Sequence, residues 1–167
     1  MHVLVTGVSG VGKTHIARYM RSKGDKAFDG DIVGYWIRKK DGKRIKPTAK
    51  QFAEISEIDW VWDVKKLKSM LKRSKTMYVF GAPHNLLEVA RLFDKVYYMH
   101  ASKKLILKRL TNEARDNPFG QSAEQRRMTL IWLKFATKRA KEQGWEFIDA
   151  SLPPARIRKI ITRARTC

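Results

Sequence analysis

Residues 2–21 run from a β-prone segment, His2-Val-Leu-Val-Thr6, through Gly7-Val-Ser-Gly-Val-Gly-Lys13-Thr14 into the helix-compatible segment His15-Ile-Ala-Arg-Tyr-Met-Arg21. The turn has the spacing G-x-x-x-x-G-K-[ST], set between a strand and a helix. Each part of that spacing has a physical reason. The glycines Gly7, Gly10 and Gly12 let the backbone N–H groups of Ser9, Val11 and their neighbours close around phosphate oxygens, and the helix N-terminus at Lys13, Thr14 and His15 adds positive potential. Lys13 reaches the β and γ phosphates, and the Thr14 hydroxyl can ligate Mg²⁺. The pattern implies a nucleoside triphosphate as ligand and an α/β fold around a parallel sheet.

Phosphate binding alone leaves kinase, switch and motor open. With 167 residues there is little room for a second ATPase module. No second apolar strand ending in Asp-Asp or Asp-Glu stands out either, since Thr76–Phe80 runs into Gly81 without a carboxylate. An acid that supports Mg²⁺ must come from elsewhere, and Lys26-Ala-Phe-Asp29-Gly-Asp31 offers two. A strand there would end at the same sheet edge as the phosphate loop, and alternation sends residues i and i+2 to one side. Asp29 is then expected to hold a Mg²⁺-bound water, and Asp31 to accept the proton of an attacking hydroxyl or to bind the acceptor.

Strands are predicted at 2–6, 26–29, 76–80, 95–99 and 145–149, and helices at 13–23, 63–74, 84–93, 102–115, 122–143 and 153–165. Five strands alternating with helices specify an α/β three-layer sandwich, a five-stranded parallel sheet with helices on both faces. The whole of 1–167 is expected to be one domain. Residues 32–62 break the alternation and read as a long irregular insertion over the sheet edge, where an acceptor cleft would lie between Asp31, the tryptophans and His84. The insertion mixes Trp36, Arg38, Lys39, Lys40, Lys43, Arg44 and Lys46 with Trp60-Val-Trp62-Asp63. Such a mixture can stack bases and neutralise phosphates, or it can anchor a cap by tryptophan faces with the lysines in water. The segment after Ser102 reads as a helix that breaks at Asn117-Pro118, with 109–122 as a lid. Arg109 and Arg115 could point back to the nucleotide, one stacking on the base and one neutralising the transferring phosphoryl.

The formal charge is +20, from 36 Lys+Arg against 16 Asp+Glu, which favours polyanionic partners or substrates. The excess is spread over 38–75, 101–143 and the last residues, as on a solvated basic surface. The single cysteine, Cys167, can form no internal disulfide, and the first residues carry no basic leader before an apolar run. A cytoplasmic protein is expected, monomeric or weakly dimeric, without a membrane partner.

Taken in order, GVSGVGKT, FDGD, VFGAPHN, RLTNEARDNPFGQS and WEFIDASLPP resemble the nucleoside-monophosphate-kinase and shikimate-kinase group of small P-loop kinases. The chain looks closest to the poorly characterised AAA-family, shikimate-kinase-like ATP-binding proteins that share a DGxW-like and an NP[FY]G pattern. The resemblance covers nearly the whole chain and implies ATP and Mg²⁺ as cofactors. It implies Lys13 on the phosphates, Thr14 on Mg²⁺, Asp29 or Asp31 near Mg²⁺ and the acceptor, and Arg109 beside adenine. Arg115 would be the lid arginine, and Ala150 to Pro153 would line the adenine pocket. The shikimate-binding arginine and glycine triplet are not recognisable at Phe80–Asn85, and the arginine pattern of an adenylate kinase monophosphate site is absent. The expected activity is transfer of the γ-phosphoryl of ATP to a small acceptor, a nucleoside or nucleotide. The rivals are a kinase of RNA or DNA 5′-hydroxyl ends and a nucleotide-binding module that docks on RNA.

Overall fold

The computed structural model describes residues 1–112 and 119–163. β1 (His2–Thr6) is the middle strand, and Val3, Leu4 and Val5 are inaccessible on both of its faces. Strands buried on both faces read as continuous apolar runs. That is the character of β6 (Met77–Phe80), all four residues of which are buried, and of the middle of β7 (Lys95–His100). β2 (Ala27–Asp29) and β8 (Glu146–Asp149) complete a five-stranded sheet in the order β2-β6-β1-β7-β8, every pair parallel.

Helices cover the sheet. α1 (Lys13–Ser22) buries Ile16, Ala17 and Met20, the spacing of one helical stripe, and packs beside α7 (Pro154–Arg163). A part-buried ion pair links α7 to the turn after α1, with Arg158 Nε donating to Asp25 Oδ2 at 2.6 Å. α3 (Val64–Leu71) and α4 (Leu86–Ala90) join a second apolar cluster around Leu4, Leu67, Val79 and Val89. α5 (Lys103–Leu110) starts at Ser102 and α6 (Ala123–Glu142) at Ser122. In both, the serine hydroxyl accepts the N–H three residues on, Leu105 and Gln125 respectively.

Two expectations change. Residues 32–62 are not irregular. A 3-10 turn (Gly30–Val33) leads into β3 (Gly34–Arg38), β4 (Arg44–Ile45), α2 (Ala49–Glu54) and β5 (Ile58–Trp62). The three strands form an antiparallel sheet in the order β4-β3-β5. A turn through Asp41-Gly42, with Gly42 at φ +69°, connects β3 to β4, and a capping box of Thr48 and Gln51 opens α2. The helix expected over 102–115 ends at Leu110, with Thr111 as its C-cap. Arg115, Asn117 and Pro118, and Cys167 at the terminus, lie outside the described residues.

Candidate functional site

The parallel register brings the ends of three strands to one edge. Val5 pairs with Phe80, and Phe80 with Asp29, so the phosphate loop, Gly81 and the Asp29–Asp31 segment emerge side by side. Gly12 caps α1 in the left-handed region at φ +101°, a conformation that glycine adopts without strain. Among the described residues no side chain caps α1, and no acid sits in its first turn. Its N-terminus therefore faces the loop as a helix end suited to an anion. Lys13 Nζ lies across the loop and donates to Gly7 O at 2.6 Å and Val8 O at 3.1 Å. Ser9 is half-buried and His15 exposed beside it.

Thr14, Asp29, Asp31 and Trp60 are linked in one chain of hydrogen bonds. Thr14 Oγ1 donates to Asp29 Oδ2 at 2.7 Å, and Asp29 Oδ1 accepts the Asp31 N–H at 3.2 Å, capping the 3-10 turn. Asp31 Oδ1 accepts the Trp60 indole Nε1–H at 3.0 Å. Burial of the Asp31 carboxyl raises its pKa, and the charge of Asp29 raises it further; the Trp60 N–H and then Lys13 act in the opposite sense. Residue 31 as a whole is open to solvent, so the burial belongs to the carboxyl in its cleft and not to the turn. Trp62 reaches the same carboxyl as a weaker influence, from outside hydrogen-bond geometry, because its buried Nε1–H has no hydrogen-bond partner among the described residues.

Close approach of backbone and indole explains why glycines flank this acid. A Cβ on Gly30 would stand 2.0 Å from Trp62 Cζ2, and one on Gly34 would stand 2.1 Å from Trp60 Cζ2. Asn85 holds β5 in place by accepting the Trp62 N–H at 3.0 Å and donating to Trp62 O at 3.1 Å. Neither Asn85 nor the Trp60 bond to Asp31 was apparent from the sequence. The only signal was the Trp-Val-Trp alternation, which places both indoles on one face of a strand.

The two faces of the small sheet differ. Register pairs Gly34 with Trp62 and Trp36 with Trp60, so the indoles share the face that carries Asp31's partner. Trp36 packs on Trp60 at 5.1 Å and on Phe52 of α2 at 5.9 Å between ring centroids. The opposite face carries Tyr35 with Arg44 stacked on it at 4.8 Å, and Asp59 with Lys39 at 3.6 Å and His84 Nδ1 at 3.2 Å. His84 therefore does not share a cleft with Asp31, as its place after β6 had suggested. It is turned to the far side of β5. Lys40, Lys43, Lys46 and Lys50 are exposed, and Arg38 is paired with Asp41.

Behind the loop, the Arg109 guanidinium donates to Val11 O at 2.7 Å and Ala150 O at 3.0 Å, joining the phosphate loop to the turn after β8. Partial burial lowers its pKa, though it stays charged. Pro153 leads into α7 two residues beyond the Ala150-Ser151 turn, and its carbonyl accepts the N–H groups of Arg156 and Ile157. The donor set fits the groups expected here. An open helix N-terminus with Lys13 suits a triphosphate, and a hydroxyl beside a carboxylate suits Mg²⁺, which takes few protein oxygens and keeps phosphate and water for the rest.

No protein-family model matches the chain, and no curated protein sequence does. Solved structures do match over almost its whole length. The shikimate kinase from Acinetobacter baumannii in complex with shikimate is 18% identical, with a TM-score of 0.61, over 99% of this chain and 95% of that one. The deoxyadenosine kinase from M. mycoides with bound dATP is 13% identical, with a TM-score of 0.56, over 100% of both chains. A gluconokinase from Sinorhizobium meliloti 1021 is 17% identical, with a TM-score of 0.53, over 98% of this chain and 91% of that one. The fold is that of the small P-loop kinases. Within that P-loop kinase fold the structure brings together Gly7, Gly10, Gly12, Lys13, Thr14, Asp29 and Asp31 at one edge, and Val11, Arg109 and Ala150 behind it. Among the described residues, no helix is long and apolar enough to cross a membrane.

Proposed function

We propose that this protein is an ATP- and Mg²⁺-dependent phosphotransferase that moves the γ-phosphoryl group to a small acceptor, a nucleoside or nucleotide. The observation that carries the reading is the hydrogen-bonded chain from Thr14 through Asp29 and Asp31 to Trp60. It joins the phosphate loop to the aromatic face of the insertion. Thr14 and Asp29 are the residues that would hold Mg²⁺, which would offset the negative charge of the phosphates.

In this reading Lys13 leaves the Gly7 and Val8 carbonyls for the phosphates, and the α1 N-terminus holds them in place. Arg109 keeps Val11 and Ala150 at a fixed separation beside the adenine ring, with Ala150 and Pro153 lining that pocket. Asp31 accepts the hydroxyl proton as the acceptor oxygen bonds to the γ phosphorus and the bond to the β,γ-bridging oxygen breaks, leaving ADP. Arg115 would neutralise the transferring group. Most of the rate gain would come from positioning and charge, as phosphoryl transfer requires.

Trp60, Trp36 and Phe52 favour an acceptor with a planar ring, which stacks on indole faces. The outward cations of the insertion favour a small acceptor over a polynucleotide end threaded through that cleft. The test is a panel of nucleosides and nucleotides with ATP, scored as phosphorylated acceptor, beside Lys13→Ala. Phosphorylation by the wild type alone supports the reading. Equal ATP consumption by the two proteins sinks it.

A further inference from the structure

α6 is inside out. A helix laid on a sheet ordinarily turns its apolar stripe to the core and its polar face to water. The fully buried positions of α6 are instead Gln125, Thr129 and Ala140, and Thr137 shares a hydrogen bond with the Tyr98 hydroxyl at 3.1 Å. Leu133 and Ala136 supply its apolar contact with the core. Outward stand Ile131 at 36% exposure, Trp132 at 39% and Phe135 at 61%, three of the six large exposed apolar side chains among the described residues. Such a cluster on one helix marks an interaction surface better than it marks chance.

Its neighbours are basic. At about 100° per residue, Arg127, Lys134, Lys138 and Lys141 fall within a sector of about 60°, immediately beside the sector of Met128, Ile131, Trp132 and Phe135. The basic stripe runs for about 21 Å between Arg127 and Lys141, and the apolar one lies beside it for about 10 Å, from Met128 to Phe135. The helix carries six Lys or Arg against two acids, Glu124 and Glu142, which pair with Arg127 at 2.7 Å and Lys138 at 3.7 Å, both pairs solvent-exposed and open to exchange for phosphate. One face of Trp132 already lies parallel to Phe119, with 6.1 Å between centroids and 14° between planes, while the ring remains over a third exposed.

We propose that this face of α6 is a docking surface for single-stranded nucleic acid, with bases stacking on Trp132 and Phe135 and phosphates lying along Arg127, Lys134, Lys138 and Lys141. Flat rings beside a line of cations are the chemistry by which single strands are held without sequence preference. The charge of +20 complements a polyanion and opposes a second copy of the chain. An acidic bilayer is the poorer fit, because the apolar residues span only two turns in the middle of the helix and a surface-lying helix needs a stripe along its length. The inference is independent of the phosphotransfer site and does not rest on it.

The experiment is fluorescence anisotropy of labelled single-stranded dodecamers, RNA and DNA in separate arms, with the full chain over a salt series. The slope of log affinity against log salt should lie near −2.8, at about −0.7 for each of four cations. The pair Lys134→Ala with Lys138→Ala should reduce its magnitude by about 1.4. Phe135→Ala should weaken binding about tenfold at constant salt, a stacking loss that charge alone would not show. Phe135 is the most exposed of the three, so that variant should keep its fold, and an unchanged melting temperature checks this. Binding that ignores both Phe135→Ala and Trp132→Ala overturns the proposal, because only diffuse charge then remains. Binding to phosphatidylserine vesicles but not to either oligonucleotide overturns it equally.

Discussion

Trp60 and Asp31 lie 29 residues apart in sequence and 3.0 Å apart in space, the indole Nε1–H of one donating to the carboxylate Oδ1 of the other. This bond works against the cleft's own effect. Burial and the neighbouring Asp29 push the Asp31 pKa up, and the indole donor pulls it down, favouring the ionised form that can take a proton. It also occupies one carboxylate oxygen and leaves the other for the acceptor.

Trp60→Phe keeps the ring against Gly34 and removes the donor. The Asp31 pKa should rise further, so the acid limb of the pH profile of kcat/KM moves to higher pH, and activity below it falls about tenfold, the worth of a hydrogen bond to a charged group. A purely structural role would lower activity equally at every pH. The check is a pH–rate series for wild type and variant, with the indole Nε1–H proton resonance of Trp60 followed over the same range. In the wild type that resonance should titrate with Asp31, and in Asp31→Asn it should not.

The same raised pKa has a sign for stability. A carboxyl whose pKa is higher folded than unfolded binds protons better in the folded state. Its contribution to stability is complete below the unfolded pKa and is lost as pH rises through the folded one. At neutral pH the Asp31 charge therefore weighs against the fold, and Asp31→Asn should abolish phosphotransfer while raising the melting temperature. Because residue 31 is open to solvent, the rise should be small, about 1–2 °C. It should shrink toward zero as pH falls below the ordinary carboxylate range. Melting curves across that range check it, and an equal gain at every pH would point to packing instead of charge.

Thr14 and Asp29 make a separate prediction through their 2.7 Å bond. Thr14→Val or Asp29→Asn removes half of the oxygen pair that would hold Mg²⁺, so the Mg²⁺ concentration for half-maximal ATP turnover should rise about 10- to 100-fold. Thr14→Ser keeps the hydroxyl and should stay near wild type. A Mg²⁺ titration of ATP turnover separates the three, and a Thr14→Val variant with wild-type Mg²⁺ dependence would remove the metal role from this residue.

Much of this architecture can be read from residues alone, for reasons that also explain what cannot. β1, β6 and β7 are continuous apolar runs because both faces are buried, and Gly-x-x-x-x-Gly-Lys-Thr admits few structures besides a loop around phosphate. Asp29 follows from strand direction, whereas Asp31 stands in the 3-10 turn beyond β2 and reaches the site through that turn, not through strand alternation. The insertion is harder. β4 is two residues long, and the alternation of Tyr35, Trp36 and Ile37 is cut off by Arg38–Lys40, so local pattern gives no register there. Without the pairing of β3 with β5, neither the Trp60–Asp31 bond nor the outward turn of Asp59 and His84 can be derived. His84 follows β6 and so belongs by position to the site edge, but the alternation of β5 puts its partner Asp59 on the face opposite Trp60.

Arg109 offers a test of the nucleotide side that leaves Asp31 alone. Its two donors hold Val11 O and Ala150 O, which come from separate parts of the chain, and only a planar guanidinium spans both. Lysine has the charge but not the fork. Arg109→Lys should therefore free the turn after β8 from the phosphate loop and raise the KM for ATP about tenfold, while kcat changes little because the acid and the metal pair are untouched. Arg109→Met should add a loss of stability, since the carbonyls of Val11 and Ala150 lose their donor as well. Steady-state kinetics over an ATP series, with melting temperatures alongside, check both. If kcat falls in Arg109→Lys and KM holds, Arg109 acts on the transferring phosphoryl group and not on the adenine side.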